Sequence, residues 1–375
     1  MRVYLDNAAT TPLDKEVLKE MVQVMENQYG NPSSIHAHGR EVRTIIERAR
    51  KTVAGLLDTS PSQIFFTSGG TEADNTAIRS GITDNQLKHA ITSRIEHHAV
   101  LHMLQALESS GQCNLSFVNT DNKGNIDLDH LEELLKNNTR SFVSLMQANN
   151  EIGTLTDIER VGSLCEQYKA IYHCDTVQTM GHYPHNLAKL KVDFIACAAH
   201  KIHGPKGVGF LYVNDISKVR PMIFGGAQER NMRGGTENVY GIVGLAKALE
   251  IAYQNMEDHH SYIQGLKSYT IDKLRSAIQK VDFNGEIEAE KSLYTVLNVR
   301  FPETDMAEML LFNLDIAGIS VSGGSACSSG TNIGSHVLAG INADEKLPSI
   351  RFSFSKYNTT DEIDYTVEKL KLIFK

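Results

Sequence analysis

The sequence predicts an α/β protein, with a large domain on a mostly parallel sheet covered on both faces and a smaller α+β domain after it. Three observations carry this. The chain has 375 residues, more than one hydrophobic core usually serves and enough for two domains. Through the first two thirds, short and continuously apolar runs alternate with amphipathic stretches, the pattern of strands buried on both sides. Beyond about residue 257 that alternation gives way to one long amphipathic stretch followed by short β-rich runs.

The elements follow in order. QIFFT (63–67) reads as a strand, and SGGTEADNTAI after it as a Gly-rich turn opening a helix. HAITS (89–93) is a strand and VLHMLQALES (100–109) a helix; SFVSLMQ (141–147) is a strand and IERVGSLCEQYK (158–169) a helix. IYHCD (171–175), DFIACAA (193–199) and GVGFLYV (207–213) are again β-rich. In the last third, SYIQGLKSYTIDKLRSAIQ predicts a helix; LYTVLNVRF, MAEMLLFNLDIAG, ISVSGGSAC and SIRFSFS build the small domain, and IDYTVEKLKLIF closes it as a helix. No repeat, low-complexity tract or long linker interrupts the chain.

Composition excludes several classes of function. The net charge is −8 and the pI near 6.0, without the clustered positive charge that nucleic acid or an anionic membrane surface requires. The start, MRVYLDNAATTP, lacks the apolar run of a secretory signal, because Asp6 and Asn7 break it. No stretch approaches the roughly 20 apolar residues of a membrane helix. The expectation is a cytoplasmic protein. Its five cysteines, Cys113, Cys165, Cys174, Cys197 and Cys327, are odd in number, scattered and without a CxxC pair, so neither a disulfide framework nor a structural zinc site is expected.

Several segments carry residue types suited to chemistry. In SGGTEADN (68–75), glycines after a strand with Thr71 at a helix start make an anion site, since backbone N–H groups at a helix N-terminus point at a phosphate. A plain turn with a Thr N-cap fits that segment equally. Asp175 sits where an apolar strand ends, the edge at which open α/β sheets bind ligands, and a carboxylate there can pair with a cationic ring nitrogen or simply cap a helix. Gln178 lies three residues on. Lys201 follows an apolar strand and precedes a Gly/Pro-rich turn; a lysine partly desolvated in such a place can form a Schiff base, although most lysines are solvated surface groups. His200 and His203 flank it without the i, i+4 spacing of helical zinc sites. His97 and His98 stand just past a strand, where a histidine can stack on a ring or cap a helix, and Asn150 stands at another strand end. In GGAQERNMRGGTEN, Arg233 and Thr236 are candidate phosphate ligands or parts of a surface loop. Cys327, among small residues in SGGSACSSG, differs from the cysteines in apolar strands and is the candidate reactive thiol.

Singly, each segment favours its plainer reading. Together and in this order, YLDNAATTP, NPSSIHAHGR, TSGGTEADN, EHHAV, NNEIG, HCDTVQ, HKIHGPKG, RGGTEN, SGGSACSSG and SIRFS resemble the NifS/IscS-like (group I) cysteine desulfurases, a branch of the class V aminotransferase superfamily. The resemblance runs from Tyr4 to Ser355. It implies a type I fold that uses pyridoxal 5′-phosphate (PLP), with a seven-stranded sheet in a large domain (13–256). The small domain (1–12 and 257–375) would carry the cysteine loop (about 320–335), and active sites would lie at a homodimer interface. By motif match, Lys201 would be the Schiff-base lysine, Asp175 would hold the pyridine nitrogen protonated, and Gln178 would bond the ring hydroxyl. His97 would stack on the ring and move protons. Gly70, Thr71 and His200 would hold the phosphate with Thr236 of the partner subunit, and Asn150 and Arg351 the substrate carboxylate. Cys327 would take sulfur from L-cysteine as a persulfide, releasing L-alanine, and pass it to a sulfur-acceptor protein such as an iron–sulfur scaffold or a relay.

The chain departs from the family's pattern in three places. Ala198 stands where the family often has a phosphate-binding serine; NIGS follows the cysteine where LEPS is usual; and the sequence stops soon after its last helix, so the expectation is that it lacks the longer tail that engages a scaffold in housekeeping members. Selenocysteine lyase, another PLP reaction on the same fold, and a non-catalytic scaffold or regulator are the alternatives. Cys327 argues against an aminotransferase, which needs no such thiol, and the joint presence of Lys201, Asp175, His97, Arg351 and Cys327 argues against a non-enzyme.

Overall fold

The computed structural model describes residues 1–138, 140–304, 306–323 and 334–374. The first strand, β1 (Val3–Tyr4), belongs to the small β-structure discussed below. The central sheet is made of β2 (Ile64–Thr67), β3 (His89–Ser93), β4 (Asn114–Val118), β5 (Phe142–Ser144), β6 (Ile171–Asp175), β7 (Phe194–Ala198) and β8 (Gly209–Val213). Its order is β2-β8-β7-β6-β5-β3-β4, with β8 antiparallel to both neighbours and every other pairing parallel. The predicted mostly parallel seven-stranded sheet is therefore present.

Alternation along the strands feeds two cores, because successive side chains leave opposite faces. Phe66, Ile195, Cys197, Phe210 and Tyr212 point into one core, shared with Val17, Val42, Ile46, Val53, Leu245 and Leu249 of the helices Lys15–Asn27, Ala37–Leu56 and Val239–Gln254. Phe65, Phe194, Ala196, Leu211 and Val213 point into the other, against Ala73, Ile78, Val100 and Leu104 of the helices Gly70–Arg79 and His98–Ser109. Coverage on both faces is why these strands read as continuous apolar runs.

Two strands differ from the sequence pattern. β4 (NLSFV) escaped notice because it is an edge strand, paired only with β3 and mostly part-exposed, so its composition is mixed. SFVSLMQ yields a strand of only three residues, since regular pairing with β6 stops at Ser144; beyond it, Leu145 N–H donates to His173 O and Gln147 N–H to Asp175 O while the chain turns.

A third core gathers Val3 and Leu5 with Ile263, Leu266, Phe283, Leu297, Val299, Phe352 and Leu370. It is framed by the helices Met256–Ala277 and Thr360–Ile373 and by β9 (Asp282–Asn284), β10 (Val296–Arg300), β11 (Ile319–Ser320) and β12 (Ser349–Ser353). β12, β10 and β9 form an antiparallel sheet, while β1 pairs in parallel with β11. The N-terminal segment is thus packed with the last third of the chain. Among the described residues, no helix is long and apolar enough to cross a membrane.

Candidate active site

Because β2, β3, β5, β6 and β7 run in one direction, their carboxyl ends share one edge, where an open α/β sheet forms its crevice. A cavity of about 240 Å³ lies there. Gly70 and Thr71 follow β2, His97 follows β3, Asn150 follows β5, Asp175 ends β6, and His200 and Lys201 follow β7; all of them, with Gln178 and Arg351, line this cavity.

The helix Gly70–Arg79 starts on Gly69, which offers no side-chain cap, so its first amide N–H groups are left for a ligand. Thr71 lies inside the helix and exposed; it is not the N-cap. Gly70 packs closely: a Cβ there would lie 2.7 Å from Val177 Cγ2 and 3.7 Å from the Ala198 Cβ. Ala198 therefore borders the helix start, and its methyl group offers no donor. Arg233, one candidate anion ligand, is committed elsewhere: its Nε donates to Glu72 Oε1 at 3.0 Å, and it does not line the cavity. Thr236 is exposed and lies in a separate cleft with Ser68 and Gly235.

Asp175 accepts a hydrogen bond from Val177 N–H at 2.8 Å and is 6% exposed. Burial, then the neighbouring Asp74 carboxyl, push it up to about 7. Asp74 is 1% exposed, and burial pushes it up to about 8. One atom each of Asp74, His97 and Asp175 lies within 4.8 Å of the others. Asp74 was not singled out from the sequence, although its place one turn after Gly70 put a carboxylate on the packed face of that helix. Behind it, His173 Nε2 is 3.3 Å from Asp74 Oδ1 without hydrogen-bond geometry, and the other His173 nitrogen, Nδ1, bonds Ser144 Oγ at 2.8 Å.

His97 combines a capping role with a place on the cavity wall. It caps the helix His98–Ser109, its Nδ1 accepting from Ala99 N–H at 3.2 Å, and it lines the cavity. That bond leaves Nε2 as the protonated nitrogen of the neutral ring. Burial, then the Lys201 charge, hold His97 down to about 4, so the ring is neutral at pH 7. Lys201 Nζ donates to the backbone carbonyls of Ala8 and Ala9, the latter at 2.9 Å. Gln178 Nε2 donates to Ala8 O at 3.1 Å. The N-terminal segment thus closes one side of the site, held by Thr11 Oγ1–H donating to His200 O at 2.9 Å.

Arg351, in β12, is 1% exposed. Its Nη1 donates to Asn150 O at 2.9 Å and its Nη2 to Asp6 Oδ1 at 2.8 Å. Arg351 Nε and Asn150 Oδ1 are buried and lack hydrogen-bond partners among the described residues. Asp6 had been read only as a break in an apolar run; its partnership with Arg351, 345 residues away, has no local signature. Asn149 shapes the turn, its Oδ1 accepting from the N–H groups of Glu151 and Ile152. Cys327 lies outside the described residues, but the segment leading to it is tied to the site through Ser322, whose Oγ–H donates to Asp6 Oδ1 at 2.8 Å and whose backbone bonds that of Arg351. The other four cysteines are buried. Burial pushes those thiols up, away from the thiolate form.

Comparison with known proteins agrees with this geometry. The family described as "Aminotransferase class-V" matches residues 3–366. A protein of Dictyoglomus turgidum named "Cysteine desulfurase IscS" is 42% identical, over 100% of this chain and 94% of its own length. One of the same name from Methanosarcina thermophila is 40% identical, over 98% of this chain and 90% of its own length. Among solved structures, a NifS-like protein superposes with a TM-score of 0.91 at 38% identity, covering 100% of this chain and 99% of that one. A NifS-like protein from Rickettsia africae gives 0.89 at 31% identity, covering 100% and 99%. With matches of this length and identity, and a lysine, a carboxylate and a helix N-terminus meeting at one sheet edge, this chain belongs to the class-V aminotransferase family and, within it, to the cysteine desulfurases of the NifS/IscS kind.

Proposed function

We propose that this protein removes sulfur from L-cysteine with PLP as cofactor, leaving L-alanine and a persulfide on Cys327. The observation that carries the reading is the convergence of Lys201, Asp175, His97 and Arg351 on one cavity whose wall includes an uncapped helix N-terminus. The residues present fit the cofactor. Asp175, on the cavity wall with Asp74 close by, offers a carboxyl for a cationic ring N–H. The free amides after Gly69 suit a phosphate, with Gly70, Thr71 and His200 as its neighbours. Arg351 Nε and the Asn150 side chain suit a substrate carboxylate.

When bound, PLP would supply an electron sink for charge developing at the substrate Cα. Lys201 would hold the cofactor, and its amine would serve as the base for the substrate Cα proton. Asp175 would keep a proton at the ring nitrogen, and Gln178 would bond the ring hydroxyl. His97, neutral and on the cavity wall, would pack on the ring and pass protons. Arg351 and Asn150 fix the substrate carboxylate, which orients its side chain. The Cys327 thiolate attacks the substrate Sγ. The Cβ–S bond breaks as the S–S bond forms, and the substrate's thiol proton stays on the persulfide. The protons released from Cys327 and from Cα are balanced by protons taken up at Cβ and Cα as alanine forms, so no external oxidant is needed.

The homodimer, with Thr236 reaching the partner's phosphate site, is supported by exposed apolar side chains. Leu18, Val22 and Met25 line one face of the helix Lys15–Asn27, with Tyr29 and Ile35 beyond it. A large domain (13–256) and a small one (1–12 with 257–375) are supported by the separate cores. A cytoplasmic sulfur-acceptor protein, either an iron–sulfur scaffold or a relay, would take the persulfide sulfur. The test is Cys327→Ala beside Lys201→Ala. The first keeps the visible absorbance of bound cofactor and forms neither alanine nor sulfide, while the second loses borohydride-reducible attachment. Ordinary turnover in Cys327→Ala would overturn the proposal.

A further inference from the structure

We propose that His98, His102 and His336 form a binding site for a transition-metal ion such as Zn²⁺ or Co²⁺, separate from the cofactor cavity. His98 and His102 stand at i and i+4 of the helix His98–Ser109, the spacing that puts two imidazoles on one helical face. Their rings lie 4.7 Å apart, within 10° of parallel. His336, at the start of the helix His336–Gly340, brings a third ring to 4.2 Å from that of His98. Three imidazoles from two elements meet on the wall of an open cleft with a volume of about 360 Å³.

The chemistry of His336 is that of a prepared ligand. Its Nε2–H donates to the Glu96 carbonyl at 2.9 Å, which fixes the tautomer and leaves Nδ1 with its lone pair. Nδ1 is buried and has no hydrogen-bond partner among the described residues. A backbone carbonyl holding the far N–H is the usual support of a metal-bound histidine. Without metal the rings stack rather than converge. His102 is exposed and turns between staggered rotamers to face a shared ion. An all-imidazole donor set suits Zn²⁺, Co²⁺, Ni²⁺ or Cu²⁺ and disfavours Mg²⁺ or Ca²⁺.

The site joins two functional segments. His98 follows His97, and His336 lies nine residues after Cys327. A metal bridging the two helices would tie the helix that follows the cysteine segment to the helix that His97 caps. The experiment uses PLP-loaded enzyme carrying Cys327→Ser, which removes the competing thiol and keeps the cofactor cavity filled. Titration with Co²⁺ should give one ion per chain with visible d–d bands of a nitrogen-ligated ion, and Zn²⁺ should displace it. His102→Ala and His336→Ala should each weaken Co²⁺ binding about tenfold or more, while His36→Ala leaves it unchanged. His102 is exposed, so its replacement spares the fold and, with Cys327 intact, the metal-free turnover. Co²⁺ affinity unchanged in both variants, or no binding below millimolar concentration, would overturn the site. Loss of alanine production in the parent enzyme would bear on the proposed reaction instead.

Discussion

Replacing Asp175 by Asn should make the cofactor-free protein more stable and the enzyme inactive, with a stability gain that grows with pH. Asp175 titrates near 7 in the folded chain against an ordinary value of 3.8. Its ionised form is penalised by burial and by Asp74, not helped by either. A folded-state value above the unfolded one means that the contribution to stability is fully present below pH 3.8 and is lost as pH rises through 7, because the unfolded chain releases the proton first. The full loss corresponds to about 4 kcal/mol, and to about 2–4 kcal/mol if Asp74 takes up part of the charge redistribution. Asn carries no such loss and keeps an oxygen to accept the Val177 N–H. Urea unfolding of apo wild type and apo Asp175→Asn at pH 5, 7 and 9 measures it. Of the buried histidines, which lose stability as pH falls below 6.5, His97 is common to both proteins and cancels, whereas His173 feels the Asp175 charge and contributes only at the acid end of the range. The variant should gain about 1–2 kcal/mol at pH 5 and about 2–4 kcal/mol at pH 7 and 9, most of the rise falling between pH 5 and 7. A gap that does not change with pH would refute the reasoning.

Three further outcomes follow from the geometry. Ala198→Ser places a hydroxyl beside the start of the helix Gly70–Arg79 and should tighten cofactor retention by about 1–3 kcal/mol, read as slower loss of the visible band on dialysis. Arg351→Lys preserves a charge for Asp6 but loses the planar fork, so kcat/KM for cysteine should drop about 10–100-fold, mainly through KM, in steady-state alanine assays. Glu229→Ala leaves Arg50 buried without its two-pronged partner at 2.7 and 2.8 Å and frees the Phe66 N–H, so unfolding should come about 3–5 kcal/mol earlier in chemical denaturation.

Much of the site was legible because its parts are local. A strand end followed by a glycine turn, a lysine after an apolar strand and a carboxylate ending another are each written in a few consecutive residues: SGGTE, AAHK and HCD. The class of sheet was legible for the same reason, since burial on both faces leaves continuous apolar runs such as FIACA and GFLYV. Edge strand β4 was not, because half of it faces solvent and carries no such run. The resemblance placed residues 1–12 with 257–375, but the individual contacts between distant segments were not legible. Asp6 reaches Arg351, Lys201 meets Ala8 and Ala9, and Arg50 meets Glu229 only after the fold is closed.

The sequence by itself determined the kind of chemistry, through residue types whose order and spacing are local properties of the chain. Only the tertiary structure decided their electrical state and their company. Asp175 and Asp74 are held near neutrality by a shared burial that no single segment creates, and Arg233 is withdrawn from the site by Glu72. Three histidines from positions 98, 102 and 336 become one cluster only because the helix beyond the cysteine segment packs beside the helix that His97 caps. Desolvation and long-range contact depend on how the whole chain packs, and so have no signature in a short stretch of sequence.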